Sequence, residues 1–116
     1  MKKIKLAITG CMGRMGKQII KSAKSNNNFE ISAVTESKLF NKKIHGIGMS
    51  INNEKTFKNT DVIIDFTIPK CTLEILKIAA KMKKRVVIGT TGFTKKEENI
   101  IKKYSKKIPI LKAGNM

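Results

Sequence analysis

Along the chain, apolar residues alternate between strand-type runs and segments with helical spacing. Short apolar or alternating runs predict β-strands at Ile4–Thr9, Phe29–Thr35, 61–66, Arg85–Ile88 and 108–112. Stretches with helical spacing predict helices from 13 to about 25, from 72 to about 84, and from a Thr94 cap to about 106. The segment 37–53 is irregular, with a possible short strand at 49–51. The alternation predicts an α/β fold, a doubly wound and mainly parallel sheet with helices on both faces.

The helical spacing also predicts which side chains face the core. The third helix should begin with a capping box, because Thr94 is followed three residues later by Glu97. The predicted inward-facing residues are Met15, Ile19, Ile20 and Ala23 in the first helix, Leu73, Leu76, Ala80 and Met82 in the second, and Ile100, Ile101 and Tyr104 in the third.

Five polar or glycine-rich loops follow the predicted strands. In a parallel sheet with right-handed crossovers, the carboxyl ends of the strands lie along one edge, and ligands bind there. These loops therefore converge on one edge of the sheet. They are 10–15, 36–38, 66–69, 89–92 and 113–116.

The first of these loops carries the strongest functional signal. Gly10, Gly13 and Gly16 are spaced three residues apart, directly between a strand and a helix. A backbone without side chains can approach a ligand closely, and a helix N-terminus favours a pyrophosphate. The usual dinucleotide fingerprint is G-x-G-x-x-G, whereas this chain has G-x-x-G-x-x-G. The pattern predicts a Rossmann-like nucleotide site, and a tight turn without a ligand is the alternative.

Three further positions on that edge suit a nicotinamide coenzyme. Glu36 can accept hydrogen bonds from a ribose 2′-hydroxyl, and Lys38 can meet a 2′-phosphate. The Gly89-Thr90-Thr91 run offers backbone N–H groups and hydroxyls to the coenzyme or to a substrate carboxylate, with Thr91 the sharper candidate. Glu36 also has an ordinary interpretation as a solvated strand end, and the threonine run has one as turn chemistry. Phe66 and Thr67 have two interpretations: they line the nicotinamide pocket, or they only end a strand.

The charge is +17, and all but two of the 25 basic residues are lysines spread over nearly the whole chain. Readers of nucleic-acid sequence favour arginine for bidentate contacts, so solvated lysine faces are the preferred interpretation and no specific nucleic-acid partner is expected. A basic nucleic-acid binder remains an alternative, and a positive field would in any case attract an anionic coenzyme.

No apolar run reaches about 18 residues, so no membrane segment is expected. The N-terminus enters a strand without a leader-like apolar region. Cys11 and Cys71 show no metal-type spacing, which favours a reduced, cytoplasmic protein. Cys11 is interpreted as a small filler residue.

Catalytic side chains are not evident, and no metal site is predicted. His45 is the single histidine and has no identifiable partner, so a surface or loop-packing role is preferred. Hydride chemistry belongs to the coenzyme, so a coenzyme domain can lack catalytic side chains.

Four motifs in order resemble those of the dihydrodipicolinate reductase (4-hydroxy-tetrahydrodipicolinate reductase) family. They are G-C-M-G-R-M-G from Gly10, D-F-T-I-P from Asp65, V-I-G-T-T-G-F from Val87, and G-N-M from Gly114. The resemblance implies reduction of 4-hydroxy-tetrahydrodipicolinate to tetrahydrodipicolinate with NADH or NADPH, in lysine and diaminopimelate biosynthesis. It implies coenzyme contacts at Gly10, Cys11, Met12, Gly13, Arg14, Met15, Glu36, Gly89, Thr90, Thr91, Ala113, Gly114, Asn115 and Met116, with Thr91 also touching substrate.

The resemblance also implies a division of labour between domains. Residues 1–116 correspond to the dinucleotide-binding domain, and the family's substrate domain, with a histidine pair, a lysine and the homotetramer sheet, would begin where this chain ends. No H-H-x-x-x-K stretch is present. We therefore expect a fragment or truncated product with little activity alone. A non-catalytic dinucleotide-binding or redox-sensing module is the alternative.

Overall fold

The computed structural model describes residues 2–36, 43–44 and 46–113. In this part of the chain, seven strands form one sheet in the order β3-β4-β2-β1-β5-β6-β7. All neighbouring pairs are parallel except β3 and β4, which are antiparallel. The strands are β1 (Ile4–Thr9), β2 (Phe29–Thr35), β3 (Lys43–Ile44), β4 (Ile47–Ser50), β5 (Val62–Asp65), β6 (Arg85–Ile88) and β7 (Ile110–Lys112).

Helices lie on both faces of the sheet, as predicted. They are α1 (Arg14–Lys24), α2 (Glu54–Phe57), α3 (Pro69–Met82) and α4 (Lys95–Ser105). Alternate residues of β1 point to opposite faces of the sheet. Leu6 and Ile8 pack in a cluster with Ile20 of α1, while Ala7 belongs to the cluster that holds Ile75 of α3 and Ile101 of α4.

The bounds of three strands, β1, β2 and β6, are those predicted. The helix predicted to start at 72 begins at Pro69, a residue favoured at the first helical position. The last strand is shorter than 108–112, and β4 begins two residues before the predicted 49–51. The short elements α2 and β3 were not predicted, because neither is long enough to show a period.

Part of the predicted core was wrong. Met15 is 45% exposed on the first turn of α1, whereas Gly16 beside it is buried. In α3 the buried stripe is Thr72, Ile75, Leu76 and Ala79, which follows the i, i+3, i+4, i+7 spacing. Leu73 and Ala80 lie only half-buried at its margin.

One part of the sheet has no helix over it among the described residues. Ile64, Val87 and Leu111 are cross-strand neighbours on β5, β6 and β7. Ile64 packs against the cluster that contains α1, so this row lies on the α1 side of the sheet. Leu111 at its end is 63% exposed.

The strand order places a topological switch at β1. The chain proceeds from β1 to β2 on one side, and β5 pairs with β1 on the other side. The loops that leave β1 and β5 therefore diverge and open a crevice at the carboxyl edge, where doubly wound sheets bind ligands. None of the helices in the described ranges has the length and apolar character needed to cross a bilayer.

Candidate functional site

Two glycines beside the turn between β1 and α1, Gly10 and Gly16, occupy positions where a side chain would not fit. Gly10 has φ +71°, and a Cβ there would overlap the carbonyl oxygen of Phe66. A Cβ on Gly16 would overlap the carbonyl oxygen of Gly10. The Gly13 N–H closes the turn by donating to the Gly10 carbonyl at 3.0 Å. The backbone of this loop is thus bare on the side that faces the crevice.

Among the residues that the structure describes, no side chain caps the N-terminus of α1. Gly13 is the N-cap residue and has no side chain to accept from the first turn, and that turn contains no acidic residue. Arg14 and Met15 follow it on the exposed surface. The first-turn N–H groups and the positive end of the helix dipole are therefore presented to an anion from outside the chain.

Glu36 lies at the end of β2, next to this turn. Its Oε2 accepts a hydrogen bond from the Met12 N–H at 2.9 Å, and the Cys11 N–H donates to the Thr35 carbonyl at 3.1 Å. These two bonds fix the glycine turn against the strand that carries the carboxylate.

A cavity of about 230 Å³ opens between the β1 and β5 loops, at the switch point. Its wall combines bare backbone, a carboxylate and apolar side chains. The lining residues are Gly10, Gly13, Glu36, Phe66, Thr67, Ile68 and Cys71.

The loop after β6 closes against the β5 loop. The Gly89 N–H donates to the Asp65 main-chain carbonyl at 2.7 Å, and the Phe66 ring lies where a Cβ on Gly89 would be. The Thr67 N–H donates to the Thr90 hydroxyl at 2.8 Å. Thr91, the next residue, is exposed on the same edge.

A buried carboxylate lies beneath these loops. Asp65 is 0% exposed, and four threonine hydroxyls donate to it. Thr9 and Thr67 donate to Oδ1 at 2.6 and 2.7 Å. Thr90 donates to Oδ2 at 3.1 Å, and Thr72 donates to the same oxygen. In the described residues no salt bridge involves Asp65.

Both cysteine thiols are held in the protonated form near neutral pH. Burial, with a smaller contribution from the Glu36 carboxylate, raises the pKa of Cys11 to about 11. Burial, followed by the charge of Glu74, also raises the pKa of Cys71. The Cys11 side chain is fully buried in the α1-side cluster, which agrees with its interpretation as a filler. Among the described residues, no three acidic, cysteine or histidine side chains are grouped to hold a metal.

Sequence similarity along nearly the whole chain identifies its family. Residues 4–116 match the family described as "Dihydrodipicolinate reductase, N-terminus". The chain belongs to the dihydrodipicolinate reductase family. It is 70% identical over 116 residues to the 4-hydroxy-tetrahydrodipicolinate reductase of Pelagibacter ubique strain HTCC1062, covering all of this chain and 45% of that protein. It is 46% identical over 125 residues to the reductase of Buchnera aphidicola strain 5A, covering 98% of this chain and 46% of the relative.

A solved member of the family has the same fold. The dihydrodipicolinate reductase of Paenisporosarcina sp. TG-14, determined with dipicolinate bound, superimposes with a TM-score of 0.75 at 26% identity. The superposition covers 90% of this chain and 43% of that one. The chain thus spans about half the length of the dihydrodipicolinate reductases that it matches.

The structure brings most of the expected coenzyme residues of this reductase family to one edge. The turn 10–15, Glu36 and the 89–91 loop follow β1, β2 and β6, and the Ala113 N–H, just after β7, donates to the Ile88 carbonyl at 2.8 Å. Cys11 is fully buried and its N–H donates to the Thr35 carbonyl, so a coenzyme contact at this residue stays a prediction. The remaining expected residues, Lys38, Gly114, Asn115 and Met116, and the loop histidine His45 lie outside the described residues.

The hydrogen-bonded environment of Asp65 was not predicted from the sequence. The residue was assigned to a motif and to a buried-type strand, but the four hydroxyls around its carboxylate come from different elements. The available signal was an acidic residue ending an apolar strand, with threonines ending another strand and following in the loops.

Proposed function

We propose that this chain is the coenzyme-binding domain of a reductase, and that it holds NADH or NADPH at the carboxyl edge of the sheet. We further propose that the whole enzyme reduces 4-hydroxy-tetrahydrodipicolinate to tetrahydrodipicolinate in lysine and diaminopimelate biosynthesis. The observation that carries the proposal is the bare glycine turn, which opens an uncapped helix opposite Glu36.

The residues fit the parts of a dinucleotide. The pyrophosphate would lie on the first turn of α1, where N–H groups, the helix dipole and Arg14 favour negative charge. A carboxylate has about four acceptor positions. Glu36 can therefore bind adenosine ribose hydroxyls while it accepts from Met12.

The nicotinamide end would lie by the β5 and β6 loops. Ligand sites usually measure about 300–1,000 Å³, so the cavity beside Phe66 and Thr67 accommodates one part of a dinucleotide while the rest lies along the open edge. The bound coenzyme supplies the hydride, and the chain orients it. Thr91 is exposed beside this position and suits contact with a substrate carboxylate.

We assign substrate binding and protonation to the part of the enzyme that the relatives possess beyond the matched region. Two observations support this division. The chain corresponds to about 45% of its relatives, and a relative of the same fold binds dipicolinate, a cyclic dicarboxylate. The 116-residue chain should therefore bind coenzyme and turn over little substrate. The homotetramer and the cytoplasmic location stay predictions.

The binding experiment is calorimetric titration of the folded chain with NADH and with NADPH. Glu36→Gln removes the charge that favours ribose hydroxyls and repels a 2′-phosphate. We expect its Kd for NADH to rise about tenfold, equivalent to about 1.4 kcal/mol, with a smaller change for NADPH. Glu30→Gln is the matched control, because Glu30 is an exposed residue of the same strand. Failure of folded wild-type protein to bind either coenzyme would overturn the proposal.

A further inference from the structure

The Asp65 carboxylate connects elements that are distant in sequence. Thr9 ends β1 beside the glycine turn, Thr67 lies in the β5 loop, Thr90 in the β6 loop, and Thr72 in the first part of α3. Three of these four donors therefore belong to, or adjoin, the loops that form the proposed coenzyme edge.

Every acceptor position of the Asp65 carboxylate is occupied, and the Thr90 hydroxyl both donates and accepts a hydrogen bond. An ionised carboxylate offers about four acceptor positions, and four hydroxyls fill them, two on each oxygen. The Thr90 hydroxyl donates to Asp65 and accepts from the Thr67 N–H, so the two loops are tied to each other as well as to the carboxylate. The bonds that Thr9 and Thr67 donate, at 2.6 and 2.7 Å, have the length of charge-assisted hydrogen bonds, which are stronger than neutral ones.

Burial makes this arrangement costly to disturb. Thr9 and Thr72, like the carboxylate, are 0% exposed, and Thr90 is 3% exposed. Water therefore has little access to replace a lost partner of Thr9, Thr72 or Thr90, whereas Thr67 is only partly buried. A displaced loop would leave a buried polar group without its hydrogen bond.

We propose that Asp65 is a positioning residue, whose carboxylate holds the loops after β1, β5 and β6 in the one mutual arrangement that binds coenzyme. It touches neither coenzyme nor substrate. The proposal rests on the proposed function for its effect on binding, whereas its effect on the loops can be measured without coenzyme.

Asp65→Asn tests the carboxylate with almost no change of volume. The amide nitrogen replaces one oxygen, so two of the four hydroxyls lose their bond to the side chain of residue 65 whichever way the amide is oriented. One orientation releases Thr67 and the other releases Thr90. Each orientation thus breaks a tie to a coenzyme-side loop.

Residue-resolved amide hydrogen exchange reports on those ties. The Thr67 amide donates to the Thr90 hydroxyl and should exchange about tenfold faster in Asp65→Asn. The Gly89 amide donates to the main-chain carbonyl of Asp65, which asparagine retains, so it serves as the internal reference. Ile101→Val, a core change in α4, controls for general loss of stability and should leave the ratio of the two exchange rates unchanged.

Coenzyme binding supplies the second readout. The Kd for NADH should rise about tenfold in folded Asp65→Asn and stay within about twofold of wild type in Ile101→Val. An unchanged exchange ratio, or an unchanged NADH affinity in folded Asp65→Asn, overturns the inference. If wild-type protein binds neither coenzyme, the proposed function fails, and the exchange ratio alone decides whether Asp65 organises the loops.

Two variants of Thr72 test the same inference if Asp65→Asn does not fold. Thr72→Val keeps the shape of the side chain and removes one buried donor that lies within α3 rather than in a loop, while Thr72→Ser keeps the hydroxyl. We expect the exchange ratio to rise about threefold in the valine variant and to stay near wild type in the serine variant. Equal ratios in the two variants overturn the inference.

Discussion

At the residue scale, Gly16 shows how the turn and the first helix depend on one missing methyl group. Alanine is normally the better helix former by about 1 kcal/mol, but a Cβ at Gly16 would overlap the Gly10 carbonyl. Because the obstacle is backbone, the whole turn must move. We expect Gly16→Ala to lower the free energy of unfolding by about 1–3 kcal/mol, measured by urea denaturation.

Gly13→Ala is the matched control within the same turn. Its Cβ would lie 3.4 Å from the Gly10 carbonyl oxygen, an ordinary contact, and its φ of −75° suits any residue. It should lower the unfolding free energy by only about 0.5 kcal/mol, because alanine is a poorer N-cap residue than glycine. Equal losses in the two variants would contradict the steric argument.

Cys11 gives the chain a pH-dependent contribution to stability. Its pKa is raised from 9.0 to about 11 in the folded state, so the unfolded chain releases the thiol proton first as the pH rises. The stabilisation is present below about pH 9 and is lost as the pH approaches about 11. From about pH 8 to about pH 10.5, the titration of Cys11 should lower the free energy of unfolding by about 2 kcal/mol.

Cys11→Ala isolates this contribution from the titration of the lysines. Urea denaturation at both pH values should show the wild type losing about 2 kcal/mol more than the variant. Parallel losses would mean that the thiol is not buried as the structure shows.

At the element scale, α4 begins where its capping box predicts. The Thr94 hydroxyl accepts from the Glu97 N–H at 3.1 Å, and the Glu97 carboxylate accepts from the Thr94 N–H at 2.8 Å. Thr94→Ala should lower the unfolding free energy by about 1 kcal/mol, measured by urea denaturation. Thr94→Ser keeps the cap and should stay within a few tenths, about 0.3 kcal/mol, of wild type. A serine variant as unstable as the alanine variant would argue against the capping bond.

The uncovered row on β5, β6 and β7 should make the isolated chain associate. Exposed apolar residues on the last strand favour contact between copies, and a lysine on an edge strand opposes it. We expect Leu111→Lys to reduce concentration-dependent association in sedimentation velocity, whereas Leu111→Val should not. Identical sedimentation of the two variants would show that this row is not the contact surface.

These elements show what sequence can and cannot provide. The bounds of β1 and β6 followed from buried apolar runs interrupted by glycine, and the α4 start followed from a local cap. The inward face of α3 was predicted in part: Leu76 is buried, while Leu73, Ala80 and Met82 pack at the margin of the core. The buried residues Ile75 and Ala79 were not predicted. Asp65 was beyond the reach of local patterns, since its four hydroxyl partners meet only after the sheet is assembled.

At the scale of the whole molecule, the charge of +17 is spread over both edges of the sheet, since Lys70, Lys95 and Lys96 lie in the first turns of α3 and α4 at the coenzyme edge. Crossover helices run antiparallel to the strands, so their C-termini lie at the opposite edge of the sheet. The last turns of these helices contain Lys21, Lys24, Lys81, Lys102 and Lys103. Arg14, in contrast, occupies the first turn of α1 beside the glycine loop.

Distance and screening then decide which charges act on a bound dinucleotide. An eleven-residue helix such as α4 is about 16 Å long, about twice the Debye length of about 8 Å at physiological ionic strength. Lys103→Glu should therefore change the Kd for NADH less than about twofold in about 0.15 M salt, whereas Arg14→Gln should raise it about fivefold. At about 0.01 M salt, where the Debye length reaches about 30 Å, the lysine variant should also weaken binding measurably. Calorimetric titration of both variants with NADH at the two salt concentrations measures these effects. Equal effects of the two variants in about 0.15 M salt would mean that the overall charge, rather than the turn beside Arg14, governs coenzyme affinity.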